Sequence, residues 1–195
     1  MIYMYKYFLK EIIDIFFSTL LLILFFPLFI LIGVLIKIDS KGPVFFKQIR
    51  LGKDEKLFKL FKFRSMTDKD HDNNGQIFSN DIEITKVGLI LRRFKIDELP
   101  QLLNVVKGDM SIIGPRPCLP RIKNKFGKYA NNRFKVKPGL TSLAAVKGSI
   151  FLSWEEKGYY DSLYVKNLSF LLDLRIVLNT IRVLIIGEKK LFYKK

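Results

Sequence analysis

The sequence predicts a membrane-associated α/β fold. Three observations carry this: a long uncharged apolar run near the N-terminus, a basic strand–turn–strand pattern after it, and alternating helical and short extended segments beyond. A chain of 195 residues has room for one ordinary domain plus a membrane element. Its formal net charge of +16, from 34 Lys+Arg against 18 Asp+Glu, calls for anionic partners: nucleic acid, anionic lipid or phosphorylated substrates. A lone cysteine, Cys118, excludes an internal disulfide and a cysteine-built zinc site, and a lone histidine, His71, excludes a multi-histidine metal site within one chain. There is no internal repeat, low-complexity tract or interdomain linker.

Ile15 to Ile36 is a run of 22 residues without charge. A bilayer core needs about 20 helical residues, so the run is long enough to cross. It is long for a signal peptide, and no small-residue cleavage site follows. Pro27 lies near its middle, where a proline removes a backbone donor and clashes with the preceding turn. The run reads either as a kinked spanning helix or as a helix–break–helix that enters and leaves by one face. Basic residues flank both ends: Lys6 and Lys10 before, Lys37, Lys41, Lys47 and Arg50 after. Basic residues prefer the cytoplasmic side, which suits the second reading.

From Lys41 to Met66 the pattern is a β-hairpin. Val44-Phe45-Phe46 opens one strand, Gly52-Lys53-Asp54 turns, and Leu57 to Phe63 returns. Its eight basic residues suit either a solvated face or anionic headgroups, at about 1 kcal/mol per basic residue near such a surface. Thr67 to Asn80 is polar and reads as a loop. Thr85 to Phe94 and Glu98 to Val106 read as helices. Ser111-Ile112-Ile113 is a short strand ending at Gly114-Pro115-Arg116-Pro117. Pro120 to Lys137 is basic and helical in part, and Lys137-Pro138-Gly139 turns the chain. Leu168 to Ile186 is an amphipathic helix, either packed on the core or lying in a membrane interface.

The candidate chemistry centres on Asp97-Glu98, two adjacent acids ahead of Pro100 in a strongly basic chain. Proline fits an early helical turn, which places Asp97 at or just before a helix N-terminus. Exposed N–H groups and the helix dipole favour an ionised carboxylate there, and an ionised carboxylate is a nucleophile toward phosphorus. Arg92, Arg93 and Lys95 stand close by to hold phosphate oxygens. Pro115 and Pro117 stiffen the backbone around Arg116, and a stiff arginine suits bidentate phosphate binding. Asp70-His71-Asp72 is an Asp-x-Asp pattern of the kind that holds a divalent ion on a nucleotide-sugar diphosphate. There is no P-loop, Gly-x-Gly-x-x-Gly or Gly-x-Ser-x-Gly.

Taken in order, these residues resemble the bacterial sugar transferase family, the monotopic polyprenyl-phosphate phosphoglycosyl transferases. The resemblance runs through Gly42 to Gly52, Lys62-Phe63-Arg64-Ser65-Met66, Leu91-Arg92, Asp97 to Gln101, Asn104-Val105 and Gly108 to Ser111. It continues through Gly114 to Pro117, Lys137 to Thr141, Ser153 to Glu156, Asp161 and Tyr164. The chain looks like the family's minimal catalytic form. The resemblance implies a re-entrant anchor over residues 1–40, with its break at Pro27. Residues 41–195 would be a small cytoplasmic catalytic domain with a short sheet or hairpin and a C-terminal interfacial helix. It implies the cytoplasmic face of a bacterial inner membrane, membrane lipids as partners and no nucleic acid, and leaves the oligomeric state open. The implied reaction moves a sugar 1-phosphate from a UDP-sugar to polyprenyl (undecaprenyl) phosphate with Mg2+, releasing UMP. This is the first membrane step of a surface glycan or exopolysaccharide. Asp97 would attack the sugar-bearing phosphate and contact the metal, with Glu98 assisting as a base or by placing the metal. Arg92 and Arg116, flanked by Pro115 and Pro117, would be phosphate-side contacts, with Lys62 and Arg64 as further candidates. The chain departs from the family pattern at Phe26, usually Ser, and at Ser142, Ala145 and Ser149, usually Gly, Gln and Arg.

Two rival readings follow from the same residues. An Asp-x-Asp glycosyltransferase would release UDP and depend on Asp70 and Asp72. A basic membrane module binding anionic lipid or nucleic acid would release no nucleotide.

Overall fold

A computed structural model describes residues 5–67 and 83–192. After a wide helical turn over Tyr5–Leu9, the apolar run forms two helices, α1 (Lys10–Leu24) and α2 (Phe26–Asp39), bent by 61°. The break has a covalent cause. Pro27 sits in the first turn of α2, where its missing N–H costs little, but it cannot continue α1. The ladder stops at Phe25 N–H to Leu21 O and resumes at Phe29 N–H to Phe25 O, both 2.9 Å. Among the described residues no single helix is long and apolar enough to cross a membrane; this bent pair has that length and composition only when taken together.

The buried Arg64 guanidinium closes the C-terminal end of α2. It donates to Lys41 O and Ser40 O at 2.7 Å each, to Ser40 Oγ at 3.0 Å and to Ile36 O at 3.5 Å. A cation there satisfies carbonyls that the helix leaves open and complements its dipole.

The predicted hairpin forms. Strands β1 (Phe45–Leu51) and β2 (Leu57–Phe63) pair antiparallel from Phe45–Phe63 to Leu51–Leu57. Phe58 and Leu60 point inward onto Val105 and Met110. The helix predicted over Glu98 to Val106 is split: a tight turn over Ile96–Glu98, then α4 (Gln101–Val106), with Pro100 between them. Ahead of it, α3 (Lys86–Arg93) is capped by Thr85 Oγ1, which accepts from Gly88 N at 2.9 Å.

Beyond α4, β3 (Ser111–Ile113) runs parallel to β4 (Gly139–Thr141), so Lys137-Pro138-Gly139 leads into a strand as well as turning the chain. The basic stretch becomes a tight helical run over Pro120–Tyr129 and a short α5 (Ala130–Arg133). Helices α6 (Leu143–Lys147), α7 (Trp154–Asn167), α8 (Phe170–Ile186) and α9 (Glu188–Phe192) complete the described chain. The whole is helix-rich with two small sheets. Helix α8 packs on the core along one side and leaves apolar residues exposed on another. Asp173 and Ile176 are buried, while Leu171, Leu174, Leu178, Leu184 and Ile185 are exposed.

Candidate active site

Asp97 and Glu98 lie in the tight turn after α3. The turn is set by Lys95, whose φ of 58° is left-handed, and this reverses the chain after Phe94. Lys62, near the end of β2, reaches across to both acids. Its Nζ is 2.8 Å from Glu98 Oε1 and 3.9 Å from Asp97 Oδ2. Strand β2 is held at this register by Asn104 of α4, which is fully buried. Its amide accepts from Phe61 N at 3.0 Å and donates to Lys59 O at 2.8 Å, pairing with the strand as a neighbouring strand would.

Arg116 approaches from the other side. Its loop is pinned to β4: Gly114 N donates to Thr141 O at 3.0 Å and Gly139 N to Pro115 O at 2.9 Å. The approach is so close that a Cβ on Gly139 would lie 2.1 Å from Gly114 N, which demands glycine. Arg116 Nη2 is 2.5 Å from Glu98 Oε2, and Nη1 donates to Leu140 O. Arg133 of α5 supports this loop from behind. Its Nη2 donates to Arg116 O at 2.6 Å, its Nε meets Asp161 Oδ2 at 3.1 Å, and its plane covers the Phe126 ring at 3.7 Å.

The two acids are driven apart electrostatically. For Glu98, burial alone would raise the carboxyl, but Arg116 and Lys62, each ion-paired and hydrogen-bonded to it, hold it well below the usual carboxylate range. Asp97 is 8% exposed, and burial pushes its carboxyl up. Lys62 opposes that rise most strongly, Glu98 adds to it, and Arg92 and Lys95 pull it down. Glu98 is therefore a fixed anion already committed to two cations, and Asp97 is the uncommitted carboxylate.

The structure thus brings Lys62, Asp97, Glu98 and Arg116 together, with Pro115 and Pro117 bracketing the arginine. Arg92 turns its Nε onto Ser65 Oγ at 2.8 Å and lies close enough to Asp97 to lower its carboxyl. Arg64 is elsewhere, spent on the end of α2. The Asp70 and Asp72 pattern lies outside the described residues. Among the described residues no three His, Cys, Asp or Glu side chains cluster as a metal site. One open carboxylate, Asp97, beside a fixed anion suits Mg2+, which binds through one or two carboxylates plus substrate phosphates and water.

A cavity of about 560 Å³ opens at Glu98 and Arg116. Its lining includes the polar Arg50, Arg133, Lys157 and Asp161 and the apolar Leu21 of α1 and Val177, Ile181 and Leu184 of α8. Burial raises the Asp161 carboxyl to about 6, against the pull of Arg133. Ser142, Ala145 and Ser149, three of the four departures from the family pattern, line this same cavity. Sequence reasoning missed Arg133 as a site residue. It is one of many cations in a basic stretch, and only the Asp161 match hinted at a partner.

The sequence model of the bacterial sugar transferase family matches residues 5–187. An uncharacterized sugar transferase of Bacillus subtilis is 45% identical over 161 residues, covering 83% of this chain and 78% of its own. A UDP-glucose:undecaprenyl-phosphate glucose-1-phosphate transferase of Klebsiella pneumoniae is 41% identical over 181 residues, covering 88% of this chain and 39% of its own. An exopolysaccharide production protein of Rhizobium meliloti is 35% identical over 188 residues, covering 88% of this chain and 83% of its own. The chain thus spans most of the Bacillus and Rhizobium proteins but about two fifths of the Klebsiella one.

Proposed function

The chain belongs to the bacterial sugar transferase family, and from that membership we propose that it transfers a sugar 1-phosphate from a UDP-sugar to polyprenyl phosphate, releasing UMP. The observation that carries the reading is the unequal pair: Glu98 neutralised at close range by Lys62 and Arg116, and Asp97 held only in a longer contact with Lys62 among the described ion pairs, with Arg92 and Lys95 near it.

A carboxylate oxygen of Asp97 attacks the phosphorus that bears the sugar. A phosphorus–oxygen bond forms to Asp97 as the bond to the bridging oxygen breaks, and the electron pair leaves on UMP. An oxygen of polyprenyl phosphate then attacks the same phosphorus and returns Asp97 to its carboxylate. Splitting one displacement into two lets a soluble donor and a lipid acceptor use one site in turn. Lys62 and Arg116 place cations where phosphoryl charge develops. Glu98 sits too far below the working pH to be an effective general base, which supports an orienting role. Mg2+, held through Asp97 and the donor's phosphates, would neutralise charge on the diphosphate.

The bent pair α1–α2 serves as a re-entrant anchor on the cytoplasmic face of the inner membrane. The exposed apolar side of α8, with Leu89, Ile90 and Phe94 at α3, rests in the interface. On this reading Leu21 of α1 and Val177, Ile181 and Leu184 of α8 in the cavity wall would meet the prenyl chain.

The deciding experiment is UMP release by detergent-purified protein with Mg2+, polyprenyl phosphate and a panel of UDP-sugars. Lipid-dependent UMP from one donor is expected. A folded protein that yields no UMP from any donor overturns the reading and favours a lipid-binding module; UDP in place of UMP favours the Asp-x-Asp rival.

The pH dependence provides a separate check. Asp97 attacks only when ionised, and burial raises its carboxyl, so activity falls with acidification above the ordinary aspartate range. Lys62 is the strongest influence holding that value down. Lys62→Met is therefore expected to move the acid limb of kcat/KM to higher pH. An unmoved limb would mean that Lys62 does not face the ionising group.

A further inference from the structure

The cavity carries more positive charge than its own acids neutralise. Among the described residues lining it, Lys95 is paired with Glu188 at 3.2 Å. That leaves Arg50, Arg116, Arg133 and Lys157 against Glu98 and Asp161, an excess of two cations.

Arg50 is the least committed of the arginines. The end of β1 docks on the Arg116 loop through Leu51 N to Cys118 O at 2.9 Å, which sets Arg50 near Arg116. Its Nη1 makes a long 3.5 Å contact with Pro117 O, and Nη2 donates to Gln48 Oε1. Its Nε is buried with no acceptor among the described residues, and the same holds for Nη1 of Arg133, whose residue is 3% exposed. Burial pulls the Arg50 guanidinium down to about 10, which leaves it charged at neutral pH. Ile122, Phe126 and Trp154 line the same cavity, the last two in edge contact.

We propose that Arg50, backed by Arg133, is the subsite for the 5′-phosphate of the leaving nucleotide. This rests on the transferase reading above. Its place in the cavity supplies the reason. The sugar-bearing phosphorus must meet Asp97, whose neighbour Glu98 lines the cavity with Arg116 and Arg50. The neighbouring phosphate is one bridging oxygen away, and Arg50, within electrostatic reach of both Glu98 and Arg116, is the arginine of the described lining not paired with an acid. When the phosphorus–oxygen bond breaks, its electron pair stays on this phosphate, and a guanidinium there stabilises the added charge. An arginine offers a planar fork that a lysine lacks, so lysine should not replace it.

The test measures equilibrium binding of UMP and of uridine to the full-length protein in detergent, for wild type, Arg50→Gln and Arg50→Lys. A phosphate contact predicts that the preference for UMP over uridine falls about tenfold or more in both variants, with uridine affinity unchanged. A subsite that merely collapsed would lose both ligands equally, and that result overturns the assignment. So does a wild-type preference retained in Arg50→Gln, even in an enzyme that releases UMP normally. No UMP release by wild type overturns the transferase reading instead, and this assignment with it.

Discussion

Asp97→Asn is expected to remove lipid-dependent UMP release while leaving the protein folded. The side chain keeps its shape and its place in the turn over Ile96–Glu98, but an amide cannot form the bond to phosphorus. Losing a nucleophile lowers a rate by about 10⁴-fold or more, far beyond the effect of a displaced neighbour. Stability should move the other way. In the folded chain burial favours the neutral form of Asp97, so its carboxyl titrates above the ordinary range. Above that raised value wild type bears the cost of an ionised buried group, and below the ordinary range the cost vanishes. Asn never bears it. The variant should therefore unfold at an equal or higher temperature than wild type at neutral pH, with the difference shrinking in acid. A variant that retains UMP release would remove Asp97 from the reaction; one that loses both activity and its melting transition would point to a structural role.

What the sequence could reveal depended on how local the cause was. The break at Pro27 and the hairpin were legible because a missing N–H and a turn between alternating strands act within a few residues. Asp97-Glu98 was legible because two acids ahead of a proline are unusual in a chain of net charge +16. Their unequal ion pairing was not. It depends on Lys62 and Arg116, which arrive from a strand and a loop 36 and 18 residues away. Arg64 shows the limit from the other side. Its place next to Ser65-Met66 suggested a phosphate contact, yet its guanidinium closes the end of α2. Which of 34 basic residues faces a substrate, a helix end or solvent is set by tertiary packing, and composition cannot sort them.

The second large effect is expected at Asp173, far from Asp97 in sequence and with a separate set of partners. Its carboxylate gathers three donors from three elements. Tyr5 Oη and Lys10 Nζ reach Oδ2 at 2.7 Å each, and Tyr164 Oη reaches Oδ1 at 2.8 Å. Tyr164 Oη also lies 3.0 Å from Ile113 O, and Ser111 Oγ donates to Asp14 Oδ2 at 2.6 Å, so β3 joins the same network. Helix α1, the first half of the proposed anchor, is thereby locked to β3, α7 and α8. Asp173→Ala leaves the Lys10 ammonium, 9% exposed, with Asp14 at 3.6 Å as its remaining acid. Breaking a buried pair from one side costs about 3–5 kcal/mol, mostly from the charge left behind. The measurement is chemical unfolding in detergent. Lys10→Met combined with Asp173→Leu removes both charges and should recover much of the loss, whereas additive losses would show that the pair is not coupled. The functional consequence separates the two substrates. On the proposed function, UMP binding would use groups beside Glu98 and Arg116, while acceptor use would need the anchor at a fixed angle to the cavity. Asp173→Asn, the milder change, should accordingly raise KM for polyprenyl phosphate more than it weakens UMP. Equal effects on both would mean that the network stabilises the domain without aligning it to the membrane.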